Sequence, residues 1–477
     1  MGMRHDLYNL IEDGITPEEV LSKNTPVRRS VEIKGEVTKD VVEELSKIKR
    51  EPDWMMRLRL RSLELFNKLP TPNWLPNWVL DNINLEDYIS YARPDVNRSS
   101  NWDEIPPEVR QYYEALNIPE IEARALMGLG AQLDSEIIYI NIRKQLAEKG
   151  VVVLPMEEAV QKYPDLVKQY FMRVFPPEHK FAALHGALWS GGVFVYVPPG
   201  VRIEAPIEGF FLISNAGEGQ FEHTLVVADK GSYIHYIEGC SAPRLSKYSF
   251  HDGMVEIYAH EGAKVKFTTV QNWSRNVINF NNKRAIAERN AEVEWVEASI
   301  GSVASFVYPS TILKGEGAKT EITGITIANG KGHVKENGAK VIHDAPNTSS
   351  KVVNKSISAN GGTAVYKGVV YVRRGARFVR SHVACDSLVL DGDSKAYTIP
   401  HDQVFDDTAV VTHEAYTGRI SEDKINYLRT RGLTEEEAKS LIVLGFISDV
   451  TEGLPFEYAM VLNRVIMLEF SKYGKVA

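Results

Sequence analysis

The chain has 477 residues, with 55 Lys and Arg against 63 Asp and Glu for a net charge of −8, and no basic stripe stands out from this mixed-sign background, which argues against a nucleic-acid partner. A hydrophobic content of 44% and a charged content of 25% are those of a soluble globular protein, long enough for two or three domains. No apolar segment follows Met1, and the longest apolar runs, such as residues 441–444, are far too short to cross a bilayer, so a cytoplasmic location away from the membrane is expected.

Residues 1–180 carry helical signals and no recurring turn, and are expected to form a mixed α and β capping domain. Residues 40–48 read as a helix, and Pro52-Asp53 opens a second one in which Met56, Leu60 and Leu63 share a face. Arg57, Arg59 and Arg61 are assigned to its solvated side. Residues 70–78 hold three prolines and two tryptophans and cannot be regular helix. Residues 136–149, Gly150 and residues 151–154 read as helix, stop and strand.

From residue 193 one phrase keeps returning: a turn closed by Gly or Asn, then alternating residues. The copies are Pro198-Pro199-Gly200, Asp229-Lys230-Gly231, His260-Glu261-Gly262, Glu288-Arg289-Asn290, Gly315-Glu316-Gly317, Glu336-Asn337-Gly338 and Arg373-Arg374-Gly375. Gly and Asn tolerate positive φ at least cost, which gives each turn a mechanism. After the turns Ile234 and Tyr236, Val265 and Phe267, and Val293 and Trp295 fall on one face, with Lys264, Lys266, Glu292 and Glu294 on the other. The closing residues lie 31, 31, 28, 27, 21 and 37 positions apart, the spacing of short strands wound once per repeat. The fold predicted for residues 181–412 is therefore a parallel β-helix, right-handed, in a mainly β protein. Beyond it, residues 413–477 read as a helical domain: a helix over 421–431 stopped by Gly432, a capping box of Thr434 and Glu437 opening a helix striped by Ala438, Leu441 and Ile442, and a third helix over 455–472.

No complete catalytic or phosphate-binding signature is present, so the chain does not read as a stand-alone enzyme. What remains is a set of single soft or polar residues. Two cysteines exclude a disulfide framework, and each thiol is either buried filler or chemistry. Cys240 follows a strand where Gly239 and Pro243 turn the backbone. Cys385 lies two residues after Val383, but the turn at Gly375 puts Phe378 on the inner face and leaves Cys385 out of phase unless a bulge intervenes. His413-Glu414 is placed where strand gives way to helix, and both side chains there could reach a metal.

The phrases Tyr-Ile-Glu-Gly-Cys-Ser-Ala-Pro ending at Pro243, Thr269-Val270-Gln271-Asn272-Trp273, Lys283-Arg284-Ala285, Ala345-Pro346-Asn347-Thr348-Ser349-Ser350, Cys385-Asp386-Ser387-Leu388, His413-Glu414-Ala415 and Arg431-Gly432-Leu433-Thr434-Glu435-Glu436-Glu437-Ala438 span most of the chain, and Glu51-Pro52-Asp53-Trp54-Met55-Met56 extends them towards the N-terminus. Through them the chain resembles the SufB branch of the SufB/SufD family, scaffold subunits of the SUF iron-sulfur cluster assembly system. The resemblance implies a β-helix core and a C-terminal helical domain that docks the SufC-type ABC ATPase. It also implies pairing with the paralogue SufD or a second SufB. Sulfur from a donor protein would be accepted at Cys240 and pass residues such as Thr269 and Lys283. A transient [2Fe-2S] or [4Fe-4S] cluster would be held by Cys385, His413 and Glu414 and handed to recipient apoproteins. Thr412 departs from the family pattern, since relatives often carry Glu there, and the Cys-rich N-terminal motif of some relatives is missing.

The two-thiol inventory agrees with such a role, because clusters normally take about four protein ligands and a partner chain would have to complete the set. Lys283, if close to Cys240, would lower the pKa of its thiol. Two other readings are kept: a β-helix polysaccharide lyase or hydrolase, for which Asp406-Asp407 and Glu292 with Glu294 are the loose carboxylate candidates, and an interaction protein with inert cysteines.

Overall fold

The computed structural model describes residues 27–83, 85–115, 118–243, 245–451, 466 and 469–470. Most of them belong to two ten-stranded sheets that face each other along a parallel β-solenoid. One sheet holds in order Ile207–Leu212, Tyr233–Ser241, Lys264–Trp273, Glu292–Gly301, Lys319–Asn329, Ser349–Ala359, Arg380–Val389 and Val410–Arg419, all parallel, and the other holds the strands that alternate with them in sequence. Each coil thus contributes one strand to each sheet, and neighbours in a sheet are about one repeat apart in sequence.

The corner before each strand of the first sheet is what the turn phrase encodes. Gly200, Gly231, Gly262, Asn290, Gly317, Asn347 and Phe378 all have positive φ and lie 31, 31, 28, 27, 30 and 31 residues apart. Each donates its amide to the next coil: Gly231 to the Glu261 carbonyl at 2.9 Å, Asn290 to that of Glu316 at 2.9 Å, Asn347 to that of Arg377 at 2.8 Å. Two of the predicted corners are corrected. Glu336-Asn337-Gly338 lies inside the strand Val334–His343, and the true corner is Asn347. Gly375 precedes its corner, which closes at Phe378; that residue is 60% exposed and the strand starts only at Arg380. Cys385 therefore falls in phase with Val383 and points inward without a bulge.

The N-terminal region packs on the start of the stack and joins it. Glu136–Ile142, expected as helix, is a strand paired antiparallel with Gly128–Leu133, which itself pairs with Ile207–Leu212. Its Ile-Ile-Tyr-Ile-Asn-Ile run is the β-branched composition of a strand, and the helix is confined to Lys144–Glu148. The helices Lys39–Ile48 and Asp53–Lys68 form as expected. Arg59 is not solvated, however. It is fully buried, pairs with both oxygens of Glu51, and donates to the carbonyls of Ala187 and Trp189 at 3.0 and 2.8 Å.

At the other end, the helices Glu422–Thr430 and Glu435–Thr451 lie against the outer face of the first sheet, where Val443 and Ile447 join Ile325, Ile327 and Ile357 in one apolar cluster. The capping box forms, with Thr434 N–H donating to Glu437 at 2.7 Å and Glu437 N–H to Thr434 at 3.2 Å. The buried apolar residues include Ala438, Val443 and Ile447, so of the expected stripe Ala438 is buried, Ile442 half-buried and Leu441 exposed. The third predicted helix lies almost wholly outside the described residues. No described helix is long and apolar enough to cross a membrane.

Candidate functional site

Inside the solenoid the two halves of each coil differ. Next to the Gly and Asn corners the inward residues are mainly apolar, Ile234 and Tyr236, Val265 and Phe267, Val293 and Trp295, then Ile322, Val352 and Val383, with Thr320, Ser350 and Ser381 as short polar residues in the later coils. Further along the same strands they turn polar. The register aligns Glu238 and Cys240 with Thr269 and Gln271, then Glu297 and Ser299, then Gly324 and Thr326, then Asn354 and Ser356, then Cys385 and Ser387. The facing sheet supplies His251, then Asn279 and Lys283, then Ser305, then Asn337, then Tyr366. A buried polar column thus runs along the stack from Cys240 to Cys385, five coils apart in the first sheet.

Its members are held by one another. Asn279 donates to Gln271 at 2.7 Å and to Ser305 at 2.8 Å, Ser305 meets Ser299 at 3.1 Å, and Asn337 donates to Thr326 at 2.8 Å. Gly324 leaves room in the middle: a Cβ there would sit 2.6 Å from Asn354 Oδ1 and 3.0 Å from Asn337 Nδ2.

Around Cys240 the column is charged. Lys283, fully buried, donates to Thr269, lies 2.9 Å from Glu297 Oε1 and is 3.4 Å from Glu238. Burial is the largest influence on Glu297 and pushes it up to about 7 even with Lys283 beside it. Lys283 pulls the Cys240 thiol down, as expected, but does not prevail. Burial and the Glu238 and Glu222 carboxylates outweigh the ammonium and hold the thiol well above its ordinary range, because the ammonium already serves two carboxylates. His251 Nε2 lies 2.6 Å from Glu222 Oε1, and Glu222, Cys240 and His251 bring their donor atoms within 4.8 Å of one another.

At the far end, Cys385 Sγ lies 3.7 Å from His413 Nε2, and His413 Nδ1 lies 3.5 Å from Asp402. Burial pushes the Cys385 thiol up to about 12, against the opposing pull of the Tyr366 hydroxyl. His413 and Glu414 lie inside the strand Val410–Arg419 rather than at a strand-to-helix junction, and adjacent strand residues face opposite ways. His413 shares the inner face with Cys385, while Glu414, paired in register with Ala384, is exposed on the other face. The last coil is itself open: Tyr397, Ile399, Val404, Val410 and Tyr416 are exposed large hydrophobics.

Sequence reasoning passed over Glu222, Glu238, His251, Glu297 and Asp402. The available signal was phase, since Glu238 stands two residues before Cys240 and so shares its inward face. Glu297 follows Val293 and Trp295 in the same way, whereas Glu222, His251 and Asp402 come from the facing side, where no recurring corner marks the phase.

Residues 211–446 match the profile of the SUF system FeS cluster assembly SufBD core domain, and residues 48–208 match that of the SufBD protein N-terminal region. The chain belongs to the SufBD family. Iron-sulfur cluster assembly SufBD family proteins of Staphylococcus aureus and Staphylococcus haemolyticus are 44% identical to it over 434 residues, covering 91% of this chain and 93% of theirs. The family places the chain in iron-sulfur cluster assembly, and leaves the SufB and SufD branches together.

Proposed function

We propose that this SufBD protein is a SufB-type scaffold rather than an enzyme, taking up sulfur at Cys240 and building an iron-sulfur cluster at the Cys385 end of its solenoid. The observation that carries this reading is the polar column, a continuous run of buried polar side chains between the two thiols along the interior of the solenoid. Sulfur uptake is a thiol exchange: the Cys240 sulfur attacks the outer sulfur of a donor protein's persulfide, the donor's S–S bond breaks, and the donor cysteine leaves with the proton that Cys240 gives up as it becomes the persulfide. Thr269 and Lys283 line the first step of the column beyond it.

At the far end Cys385 and His413 are the inward ligands offered to the cluster; Asp402, 3.5 Å from the other imidazole nitrogen, is the carboxylate that would come to hold the ring there when a cluster draws on Nε2. Glu414 reaches from the outer face. A set this small is incomplete without a second chain, and the exposed apolar residues of the last coil suit pairing with a SufD-type or second SufB-type partner. A SufC-type ATPase would dock on the C-terminal helices, where Leu441 and Tyr427 are exposed. The cluster is cargo, and mixed O, N and S ligation holds iron less firmly than four thiolates would.

The test compares two sulfur sources. Cys240→Ala is expected to abolish acid-labile sulfide and iron when a desulfurase supplies sulfur and to spare reconstitution with free sulfide, whereas Cys385→Ala abolishes both. Equal behaviour of the two variants overturns the relay.

A further inference from the structure

The Cys240 end of the column holds a group whose protons do not add up for neutral partners. Asn279 uses its amide nitrogen to donate to Gln271 and Ser305, so its Oδ1, 2.7 Å from His251 Nδ1, is an acceptor and Nδ1 carries the proton. That leaves His251 Nε2 directed at the Glu222 carboxylate oxygen at 2.6 Å. A bare lone pair against a carboxylate is repulsive, so a cation has to sit between them, either a proton, held by the ring or by the carboxyl, or a metal ion. Cys240 Sγ lies within 4.8 Å of both donor atoms.

Two further features distinguish a metal from a proton. Glu222 Oε2 is buried and has no hydrogen-bond partner, so half of this carboxylate is left for a ligand. The backbone opposite is Gly253, where a Cβ would lie 2.5 Å from Glu222 Oε1 and 2.9 Å from the His251 ring, so the space over these two donors is kept clear by the absence of a side chain. The surroundings are rich in carboxyl groups as well: Glu222, Glu238 and Glu297 are buried within reach of Lys283 and His251, and among the described residues Glu238 makes one ion pair, at 3.4 Å.

We propose that Glu222, Cys240 and His251 bind a divalent transition-metal ion, Zn²⁺ or Fe²⁺, inside the solenoid, at a site separate from the Cys385 end. One carboxylate, one imidazole and one thiolate are the ligand types that such ions take at about 2.0–2.3 Å, and the fourth position stays free. Tetrahedral ligands at those bond lengths stand about 3.3–3.5 Å apart, so the imidazole and the carboxylate have to open from 2.6 Å by somewhat less than an ångström to admit the ion, while the thiol, within 4.8 Å of them, moves in. Asn279 already fixes the imidazole tautomer from behind, as the outer partners of metal-bound histidines do. Binding displaces the thiol proton and any proton between His251 and Glu222. The inference uses the same thiol as the proposed sulfur uptake but stands without it, since it concerns the chain before sulfur arrives.

The test uses the full chain with Cys385→Ser, which leaves Cys240 as the single thiol, produced in cobalt-supplemented medium and titrated with Co²⁺ without oxygen or sulfide. The expected result is one Co²⁺ per chain, with a thiolate-to-cobalt charge-transfer band and tetrahedral visible bands, displaced by Zn²⁺ and by Fe²⁺. His251→Ala and Glu222→Gln are expected to weaken binding by more than tenfold with the band retained at saturation, and Cys240→Ser to remove the band. Should these buried substitutions unfold the chain, X-ray absorption of the zinc-loaded Cys385→Ser protein reads the site directly, with one sulfur neighbour and the rest nitrogen or oxygen. A chain that binds no Co²⁺, or binds it without a thiolate ligand, overturns the proposal and assigns the cation between His251 and Glu222 as a proton. Because sulfur is absent throughout, that failure is distinct from failure of the relay.

Discussion

His413 and Glu414 are neighbours in sequence and opposites in space, and the difference decides which carboxylate serves the cluster end. Strand alternation turns His413 towards Cys385 and Glu414 outward, while Asp402, from the facing sheet, stands 3.5 Å from His413. Asp402→Asn is expected to lower iron retained after chemical reconstitution of the isolated chain by about tenfold or more, as loss of a partner behind a ligating histidine does. Glu414→Gln is expected to change it far less in the absence of a partner chain. Iron and sulfide analysis of both variants decides the order, and a larger loss in Glu414→Gln would move the ligand to the outer face. The two cysteines were visible in the sequence as soft residues without a framework. Asp402 was not, because its role depends on which residue of another coil it faces. Arg59 shows the same limit: its neighbours Arg57 and Arg61 made it look like one of a solvated row, and only the tertiary fold brings Glu51 and two carbonyls to it.

At the scale of the element, the corner is the unit that the sequence encodes best. Gly or Asn at positive φ, with an amide aimed at the next coil, is a local requirement that leaves a local signature, and the parallel solenoid could be read from it. The reading slipped where another Glu-Asn-Gly phrase occurs inside a strand. Gly338 is there for a different reason, because a Cβ would run into the Lys367 carbonyl of the next coil and the Tyr308 ring of the preceding one. Composition alone does not separate a glycine needed for φ from one needed for space. Asn347 provides the check, with φ of 58° in the corner that was missed. Asn347→Ala is expected to cost about 1–2 kcal/mol, the penalty for a Cβ in the left-handed region without a compensating side chain. Asn347→Gly should cost less, and urea unfolding of the two variants measures the gap. Equal destabilisation would mean that the side-chain hydrogen bond to Glu316, at 2.9 Å, matters more than the backbone conformation.

For the molecule as a whole, the least legible feature is how the N-terminal region locks onto the stack. Glu256 sits between Val255 and Ile257 and reads as the solvent side of a strand, yet it is fully buried beneath residues 171–175. It accepts the amides of Met172, Val174 and Phe175 at 2.5, 2.9 and 2.7 Å and meets His223 Nε2 at 3.0 Å. The proton count along this contact is fixed from its far end. His185 Nδ1 donates to the Asp252 carbonyl at 2.7 Å, so His185 Nε2 accepts from His223 Nδ1 at 3.1 Å, and a neutral His223 then has only a lone pair for Glu256. Glu256 must carry the proton. Burial, the largest influence on each group, agrees: it raises Glu256 to about 8 and, with Arg59 nearby, lowers His223 to about 3. The consequence for stability has a definite sign. A carboxyl whose folded pKa is raised contributes fully below its ordinary value of 4.5, and the contribution is lost as pH rises through about 8. His223, lowered from 6.5, acts on the other side, and its contribution is lost as pH falls towards 3. Glu256→Gln keeps a donor for His223 and an acceptor for Val174 and Phe175, but sets an amide nitrogen against the Met172 N–H. The variant is therefore expected to be less stable at pH 6 by about 1–3 kcal/mol, the cost of one buried unsatisfied donor. It should also lose less stability than the parent between pH 6 and pH 9, because its side chain does not titrate. Urea unfolding at the two pH values measures both numbers, and parallel losses in parent and variant would show that Glu256 is not the proton holding the N-terminal region to the solenoid.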